Sequence, residues 1–473
     1  VIELILEEAA RIMGAELIGE HHADVLTRFF PAVSTDTRTL TSGQCFVCLK
    51  GPRFNAHDFV GQALDKGASV IVHSEDLPSS VLRPGVVYLK VADSLSALQN
   101  LAHYSRSKWG GMLVGVTGSA GKTTTRSFIS TLLGRKFRVM QSSGNFNNEI
   151  GLPLSLLGIG PEHQAAVIEF GMNHAGEIRA LARIALPDCA VLTNVGPVHL
   201  EFFESVDAIA RAKAEILEFL PADGWIVFNA DDQRVARVVR DHPAGKISFG
   251  FNPSADVRVT DYTLHDLSRM EFTAVVRGSE ISASVPFGGR HFLYNVAAAL
   301  ATAVEMGVSV GEMLDGLNEL APVKMRGRLL RLQTGRLAGV TVWDDSYNAN
   351  PHAVASVLET LKELRGFRRK IVALGSMLEL GQYSSQLHKE TGARIAASGV
   401  DLLLAVGTES AYLCEGARAA GMASDRLLEF EDAKTAGDHL VAQLRSGDLV
   451  LVKGSRGIGM DQAVRQIEAV EEK

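Results

Sequence analysis

The sequence predicts an α/β protein built on parallel sheets and divided into three units. Three observations carry this. The chain has 473 residues, too many for one typical core and about the number for three. Short apolar runs alternate with helical patterns from about residue 112 to 322 and again past residue 328, the rhythm of strand–helix–strand crossovers. Glycine and polar residues follow these runs, as they do where parallel strands end and ligands bind. The expected units are a small α/β unit over residues 1–110, a central parallel-sheet unit over 111–322, and a second doubly wound α/β unit over 323–473.

Composition excludes several functions. Hydrophobic residues at 46% and charged residues at 21% describe a globular chain. A net charge of −7 argues against a nucleic-acid binder. No apolar run approaches a membrane span, and the acids near the N-terminus are unlike a signal peptide, which predicts a cytoplasmic protein. It is expected to be a monomer acting on small molecules. The four cysteines, Cys45, Cys48, Cys189 and Cys414, fit a reducing compartment. Cys45 and Cys48 have the spacing of a metal or redox half-site. They sit in a strand-like run, so they should face opposite sides as packed thiols.

In the first unit, Leu4 to Met13 has the spacing of an amphipathic helix. Strands are expected around Cys45 to Leu49, Ala68 to Val72 and Val86 to Val91. A turn over 51–55 and a helix from His57-Asp58 to near Gly67 lie between. In the cluster Val33-Ser-Thr-Asp-Thr-Arg38, Ser34, Asp36 and Arg38, together with Lys50, are candidate ligands for an anionic, hydroxyl-rich group; a solvated turn would use the same residue types. Trp109-Gly110-Gly111 reads as the join to the next unit.

The central unit opens on its most informative stretch. Met112 to Val116 reads as a buried strand, Thr117-Gly118-Ser119-Ala120-Gly121 as a tight turn, and Lys122, Thr123 and Thr124 as the start of a helix running through Leu133. Glycines let backbone N–H groups face phosphate oxygens, and a helix N-terminus adds partial positive charge. Lys122 would reach the outer phosphates of a nucleoside triphosphate and the Thr123 hydroxyl would ligate Mg²⁺. The loop is a short G-x-x-G-K-T type, with Val116 where the common P-loop has its first glycine.

Two more strands point to the same rim. Ala165 to Ile168 ends in Glu169, and Ala190 to Thr193 leads to Asn194, Gly196, Pro197 and His199. A carboxylate and an imidazole beside a triphosphate loop suit Mg²⁺ ligands; in isolation, His199 would read as a packing or surface histidine. Asn145, Asn147 and Asn148, within residues 143–153, fit either loop chemistry or substrate contact. Lys213 lies among small and apolar residues of a helix expected from Asp207 to Leu220. It is either a lysine snorkelling along its stem or one converted by CO₂ to a carbamate. Trp225 to Asn229 is a strand, and a β-rich segment covers 246–287. An alanine-rich helix to Met306 places Asn295 in its first turn, either reading an adenine edge or making a helix N-terminal hydrogen bond.

Ala321 to Arg328 reads as a second linker. Beyond it, Val340–Trp343 ends in Asp344-Asp345-Ser-Tyr-Asn348-Ala-Asn350-Pro351, where Asn350 can cap the next helix and Pro351 suits its first turn. Lys370–Leu374 ends in Gly375-Ser-Met-Leu-Glu379-Leu-Gly381, Leu402–Val406 in Gly407-Thr408, and Leu449–Val452 in Lys453-Gly-Ser-Arg456-Gly457. Polar residues again collect at strand carboxyl ends.

These motifs, in this order and over essentially the whole chain, resemble the Mur ligase family. Four stretches are similar to the members that add D-alanyl-D-alanine to UDP-N-acetylmuramoyl-tripeptide: Gly144–Pro153, Glu169–Ile178, Asp345–Pro351 and Val452–Gly457. The Asp-Asn-Pro-Arg signature of the sibling that adds diaminopimelate or lysine is absent. Two positions depart from the family pattern, Ser376 where aspartate is common and Cys48 where alanine is common.

The resemblance implies an ATP-dependent peptide ligase of cytoplasmic cell-wall precursor synthesis that works through an acyl phosphate. Its central unit would be a P-loop ATPase-like sheet and its C-terminal unit Rossmann-like. Residues 117–124 would bind ATP and Asn295 would contact adenine. Thr123, Glu169, His199 and carbamylated Lys213 would hold two Mg²⁺ ions. Ser34, Asp36, Thr37 and Arg38 would lie near uridine or diphosphate, with Asn145, Asn147 and Asn148 also on the UDP-linked substrate. Arg328, Asp344 and Asp345 would bring the third unit onto ATP, and Asn348, Asn350, Lys453 and Arg456 would lie near the incoming dipeptide. The competing readings are another amide ligase of the same superfamily, tripeptide-forming or folylpolyglutamate synthase-like, a nucleotide switch or motor that ligates nothing, and a catalytically retired scaffold.

Overall fold

Three β-sheets follow one another along the chain in the computed structural model, which describes residues 4–18, 23–52, 54–142 and 144–471. Arg53, in the expected turn, and Ser143, ahead of the asparagine-rich stretch, lie outside the described residues.

The first sheet comprises β1 (Glu16–Ile18), β2 (Val33–Ser34), β3 (Cys45–Val47), β4 (Val70–His73) and β5 (Val87–Lys90), in spatial order β1-β5-β4-β3-β2. Strands β2 to β5 are parallel and β1 is antiparallel at the β5 edge. Alternation along β3 sends Cys45 and Val47 into one core, and Phe46 and Cys48 into another. Both thiols are therefore packed on opposite faces, and burial pushes that of Cys48 up to about 12.

The helix Ser94–Lys108, capped by Asp93 accepting from the Ser96 N–H, packs against the helices Leu6–Met13, Gly151–Leu157 and Glu177–Ala185. Its Leu98 and Leu101 join one continuous core with Leu152 of the helix Gly151–Leu157 and with Leu113 and Ile168 of the next sheet. The expected join at Trp109-Gly110-Gly111 is accordingly not a loose tether. Trp109 is buried, and its indole N–H donates to the His163 carbonyl at 3.0 Å.

The central sheet has nine strands: β6 (Met112–Thr117), β7 (Val139–Gln141), β8 (Ala165–Glu169), β9 (Cys189–Leu192), β10 (Trp225–Asn229), β11 (Gly245–Gly250), β12 (Val257–Asp266), β13 (Arg269–Val276) and β14 (Ser279–Val285). Their order is β14-β13-β12-β11-β10-β9-β6-β8-β7. From β7 to β12 all neighbours are parallel; β12 to β14 form an antiparallel extension. Strand β6 lies between β8 and β9, where the direction of winding reverses, so the loop after β6 sits at the point where open parallel sheets bind ligands.

The helix expected over Asp207–Leu220 is α-helical from Val206 to Ala214, with Ser205 as its cap, and tightens to a 3₁₀ turn at Glu215–Phe219. There the Glu215 carboxylate turns inward and accepts from the Gly176 and Arg179 N–H groups at the start of helix Glu177–Ala185.

The third sheet comprises β15 (Arg328–Arg331), β16 (Thr341–Asp345), β17 (Arg369–Gly375), β18 (Leu402–Val406), β19 (Leu427–Phe430) and β20 (Asp448–Lys453), ordered β15-β16-β20-β17-β18-β19. All pairs are parallel except β15 with β16. Among the described residues, no helix is long and apolar enough to cross a membrane.

Candidate active site

The loop after β6 is held by the strand beside it. The Ser119 N–H donates to the Asn194 carbonyl at 2.9 Å, and the Ala120 N–H donates to Asn194 Oδ1 at 2.9 Å. The Thr193 hydroxyl donates to the Ala120 carbonyl at 2.8 Å. This closeness requires the glycines. A Cβ on Gly118 would lie 1.8 Å from Thr193 Oγ1, and one on Gly121 would lie 2.6 Å from Asn295 Oδ1. Gly121 also has φ 80°, a left-handed conformation that costs other residues energy.

Helix Lys122–Leu133 begins immediately after this loop. Lys122 Nζ donates to the Gly118 carbonyl at 2.8 Å. Burial lowers its pKa, Glu169 opposes that, and Arg326 adds to it. The Thr123 hydroxyl donates to Glu169 Oε2 at 2.7 Å, and Asn147 Nδ2 donates to Glu169 Oε1 at 2.8 Å. Arg126, buried one turn beyond Lys122, stands 3.7 Å from the same carboxylate and donates to Ser142 Oγ and the Gly144 carbonyl. The end of β8 therefore brings one negative charge into a cationic surrounding.

A cleft of about 1070 Å³ opens over these strand ends. The central sheet contributes Ser119, Ala120, Gly121, Lys122, Thr124 and Glu169. Asn145, Asn147, His199 and Asn295 also border it. The third sheet contributes Asp345, Asn348, Asn350, Lys453 and Arg456. Lys453 Nζ donates to Asp345 Oδ2 at 2.5 Å and to the Asn348 carbonyl at 2.9 Å. Asn350 caps its helix through the Ala353 N–H, and Asn348 Oδ1 accepts from the Ala349 N–H. Arg456 pairs with Asp461 at 3.3 Å.

Several expected residues sit elsewhere or differently. Asn295 is the sixth residue of the helix Arg290–Glu305, past its first turn, so a helix N-terminal hydrogen bond is not open to it; its Oδ1 accepts from the Thr125 hydroxyl at 3.0 Å. Arg328 lies outside the cleft lining and stands 3.5 Å from Glu468. Asp344 is buried behind Asp345 and accepts from the Ser346 hydroxyl; burial raises its pKa. Thr117 is buried under the loop, donating to the Phe170 carbonyl.

Ser34, Asp36, Thr37 and Arg38 follow β2 and do not line the cleft. Asp36 pairs with Arg38 at 2.7 Å, Ser34 donates to the Asp36 carbonyl, and Thr37 donates to Gln62. Asn148 closes its own turn by accepting from the Gly151 N–H. Lys213 is buried, with no hydrogen bond or ion pair to a described residue; burial holds its pKa well below the ordinary value, and Lys122 lowers it further.

Mg²⁺ fits the donor set at the loop. Thr123 and Glu169 present two oxygens side by side, and Mg²⁺ takes one or two protein oxygens plus phosphate and water. Among the described residues there is no group of three or more His, Cys, Asp or Glu side chains placed to hold a metal, as a dedicated cage would need. An ion arriving with a nucleotide suits this site better than a resident one.

Arg126, just beneath the cleft, and the lining residues Arg326, Tyr347 and His291 are not marked by the sequence motifs. Arg126 had a usable signal, since it is four residues after Lys122 and therefore on the same helix face. Arg326 stacks on Tyr347, its guanidinium carbon 3.9 Å from the ring centroid, and the pair lines the cleft. His291 lines it as well, with Nδ1 sealed from solvent and unpartnered among the described residues. None of these three has a motif spacing that would mark it.

The reversal of winding at β6, the glycine loop with its lysine and the Thr123–Glu169 pair define a nucleotide-binding protein of the P-loop class. Comparison with known proteins narrows this. Residues 116–303 match the Mur ligase middle domain, and residues 327–456 match the Mur ligase, glutamate ligase domain. The chain belongs to the Mur ligase family.

It is 34% identical over 439 residues to the UDP-N-acetylmuramoyl-tripeptide–D-alanyl-D-alanine ligase of Bacillus subtilis, covering 92% of each chain. It is 33% identical over 470 residues to the enzyme of the same name from Escherichia coli, covering 99% of each. Its fold matches a crystal structure of MurF from Acinetobacter baumannii with a TM-score of 0.86 and 29% identity, over 100% of this chain and 99% of that one. It matches MurF ligase of Thermotoga maritima in complex with ADP with a TM-score of 0.81 and 28% identity, over 94% of this chain and 98% of that one.

Proposed function

We propose that this chain joins D-alanyl-D-alanine to the terminal carboxylate of UDP-N-acetylmuramoyl-tripeptide at the expense of ATP, in the cytoplasm. The observation that carries the reading is that one cleft holds both the phosphate loop with Lys122 and the Asp345–Lys453 pair of the third sheet. The phosphate donor and an incoming amine can thus meet over one carboxylate.

A carboxylate is a poor acyl donor because its leaving group would be oxide. In the first step, a tripeptide carboxylate oxygen attacks the γ-phosphorus of ATP, the bond to the β,γ-bridging oxygen breaks, and ADP leaves. In the second, the neutral amine of the dipeptide attacks the acyl carbon, the C–O bond to phosphate breaks, and inorganic phosphate leaves with the electron pair. The amine proton passes to a base or to solvent.

Lys122, with the cationic surrounding that Arg126 and Arg326 supply, offsets the repulsion between carboxylate and phosphate and stabilises charge spreading over the transferred group. Mg²⁺, held by Thr123 and Glu169, would add Lewis-acid neutralisation of the same oxygens. We assign His199 and a carbamate on Lys213 to a second Mg²⁺. What supports the carbamate is that Lys213 is buried, lacks a carboxylate partner among the described residues and is held toward its neutral form, the form that adds CO₂ and releases a proton.

Asn295 beside Gly121 would read adenine. Ser34 to Arg38 would hold the UDP end in the first unit, Asn145, Asn147 and Asn148 the adjoining part of that substrate, and Asn348, Asn350, Lys453 and Arg456 the dipeptide. Residues 1–110, 111–322 and 323–473 would act as three working units.

The test is inorganic phosphate release with ATP, D-alanyl-D-alanine and UDP-N-acetylmuramoyl-tripeptide carrying either diaminopimelate or lysine. Release that needs both the tripeptide nucleotide and the dipeptide supports the assignment. Turnover indifferent to both would identify a nucleotide switch, and turnover with a folate substrate instead would identify the folylpolyglutamate ligase alternative.

A further inference from the structure

The loop carrying His199 and the loop carrying Glu379 belong to different sheets, the first following β9 and the second following β17. They meet at the cleft, where both side chains are lining residues. His199 Nδ1 lies 2.5 Å from Glu379 Oε2. An ionised carboxylate has only acceptor oxygens, so the ring N–H at Nδ1 is the donor of this bond.

The contact is built into the backbone on both sides. His199 has φ 55° and Glu379 has φ 62°, so two non-glycine residues are held in the left-handed region, where each costs energy. The Glu201 N–H donates to the Glu379 carbonyl at 3.2 Å. Two residues beyond Glu379, a Cβ on Gly381 would come 3.0 Å from Glu201 Cα. The two loops therefore touch through main chain as well as through side chains.

We propose that Glu379 is a positioning residue that couples the third unit to the metal-binding competence of His199. The inference rests on the assignment of His199 as a Mg²⁺ ligand. A histidine that donates from one ring nitrogen to a carboxylate has its tautomer and ring orientation fixed, and its other nitrogen left as the ligand atom. Here His199 Nε2 makes no hydrogen bond to a described residue. The orienting carboxylate comes from a different sheet than the ligand, so the histidine is set only while the third unit is docked against the central one. Metal binding and docking then favour each other, as linkage requires.

The test uses the full-length protein with Mn²⁺ as a paramagnetic stand-in and a non-hydrolysable ATP analogue. Mn²⁺ binding is followed by electron paramagnetic resonance and unit docking by small-angle scattering, in wild type, Glu379→Ala, Glu379→Gln and His199→Ala, with thermal melting to confirm folding. Glu379→Ala should weaken one class of Mn²⁺ by about 10–100-fold and give a more extended particle with the analogue. Glu379→Gln, which keeps an acceptor but not the charge, should lie between Ala and wild type.

If His199→Ala weakens Mn²⁺ while Glu379→Ala binds as wild type, the coupling is overturned and the ligand assignment stands. If His199→Ala binds Mn²⁺ as wild type, the ligand assignment fails, and the coupling with it.

Discussion

The Thr123 hydroxyl donates to Glu169 Oε2 at 2.7 Å, tying the first turn of the helix after the phosphate loop to the end of the neighbouring strand. The bond sets two oxygens side by side, as the proposed nucleotide-borne Mg²⁺ would need, and keeps a carboxylate beside Lys122 and Arg126. Glu169→Gln keeps the shape and the Thr123 contact but removes the charge. The expected result is a fall in kcat of about 10²–10³ with little change in melting temperature. Wild-type turnover by this variant would exclude Glu169 from the charge arrangement.

Lys122→Ala should abolish acyl-phosphate formation while leaving binding of the UDP-linked substrate intact, because the residues assigned to its UDP end, Ser34 to Arg38, lie outside the cleft. Calorimetric titration of that substrate into the variant separates the two effects. Normal turnover would remove the assigned role.

Lys213 has no carboxylate partner among the described residues and is held toward its neutral form by burial. Lys213→Ala should be inactive, and partly rescued by small carboxylic acids that can take the place of a carbamate. Full activity without additives would refute the carbamate.

Gly121→Ala forces a side chain into a left-handed position, with its Cβ 2.6 Å from Asn295 Oδ1. The strain is roughly 1–2 kcal/mol, and the phosphate loop should lose nucleotide affinity. Adding Asn295→Ala relieves the clash but not the backbone strain, so the double variant should regain only part of the melting temperature. Complete recovery would show that φ at this position is not limiting.

His291 is held near pKa 4 by burial, against an ordinary 6.5. Its folded-state pKa is depressed, so the unfolded chain takes up a proton between about pH 6.5 and 4 that the folded chain refuses. Stability is unaffected above that window and falls as pH drops through it, by roughly 1.4 kcal/mol per pH unit. His291→Asn should flatten this part of the pH dependence of the melting temperature. Parallel wild-type and variant curves would show that another group governs the window.

The rim of the central sheet was legible because its signals are local. Loop, lysine and threonine are consecutive, and Glu169 ends an apolar run, so strand order alone brings them together. Asn350 and Pro351 marked a helix start for the same reason. Contacts between units carried no such mark. His199 and Glu379 are 180 positions apart, and neither spacing nor composition links them. Arg328 shows the converse, since its position in the chain is recognisable but its side chain stands by Glu468 outside the cleft. Trp109-Gly110-Gly111 looked like a tether because glycines usually mark one, yet the shared core draws the tryptophan in.

The most direct measurement follows oxygen from the acceptor carboxylate. UDP-N-acetylmuramoyl-tripeptide labelled with ¹⁸O in its terminal carboxylate is turned over with ATP and D-alanyl-D-alanine, and the phosphate is read by the isotope shift in its ³¹P resonance. An acyl phosphate formed over the Lys122 loop requires one labelled oxygen to leave in each inorganic phosphate. Unlabelled phosphate, with peptide product formed, would contradict it.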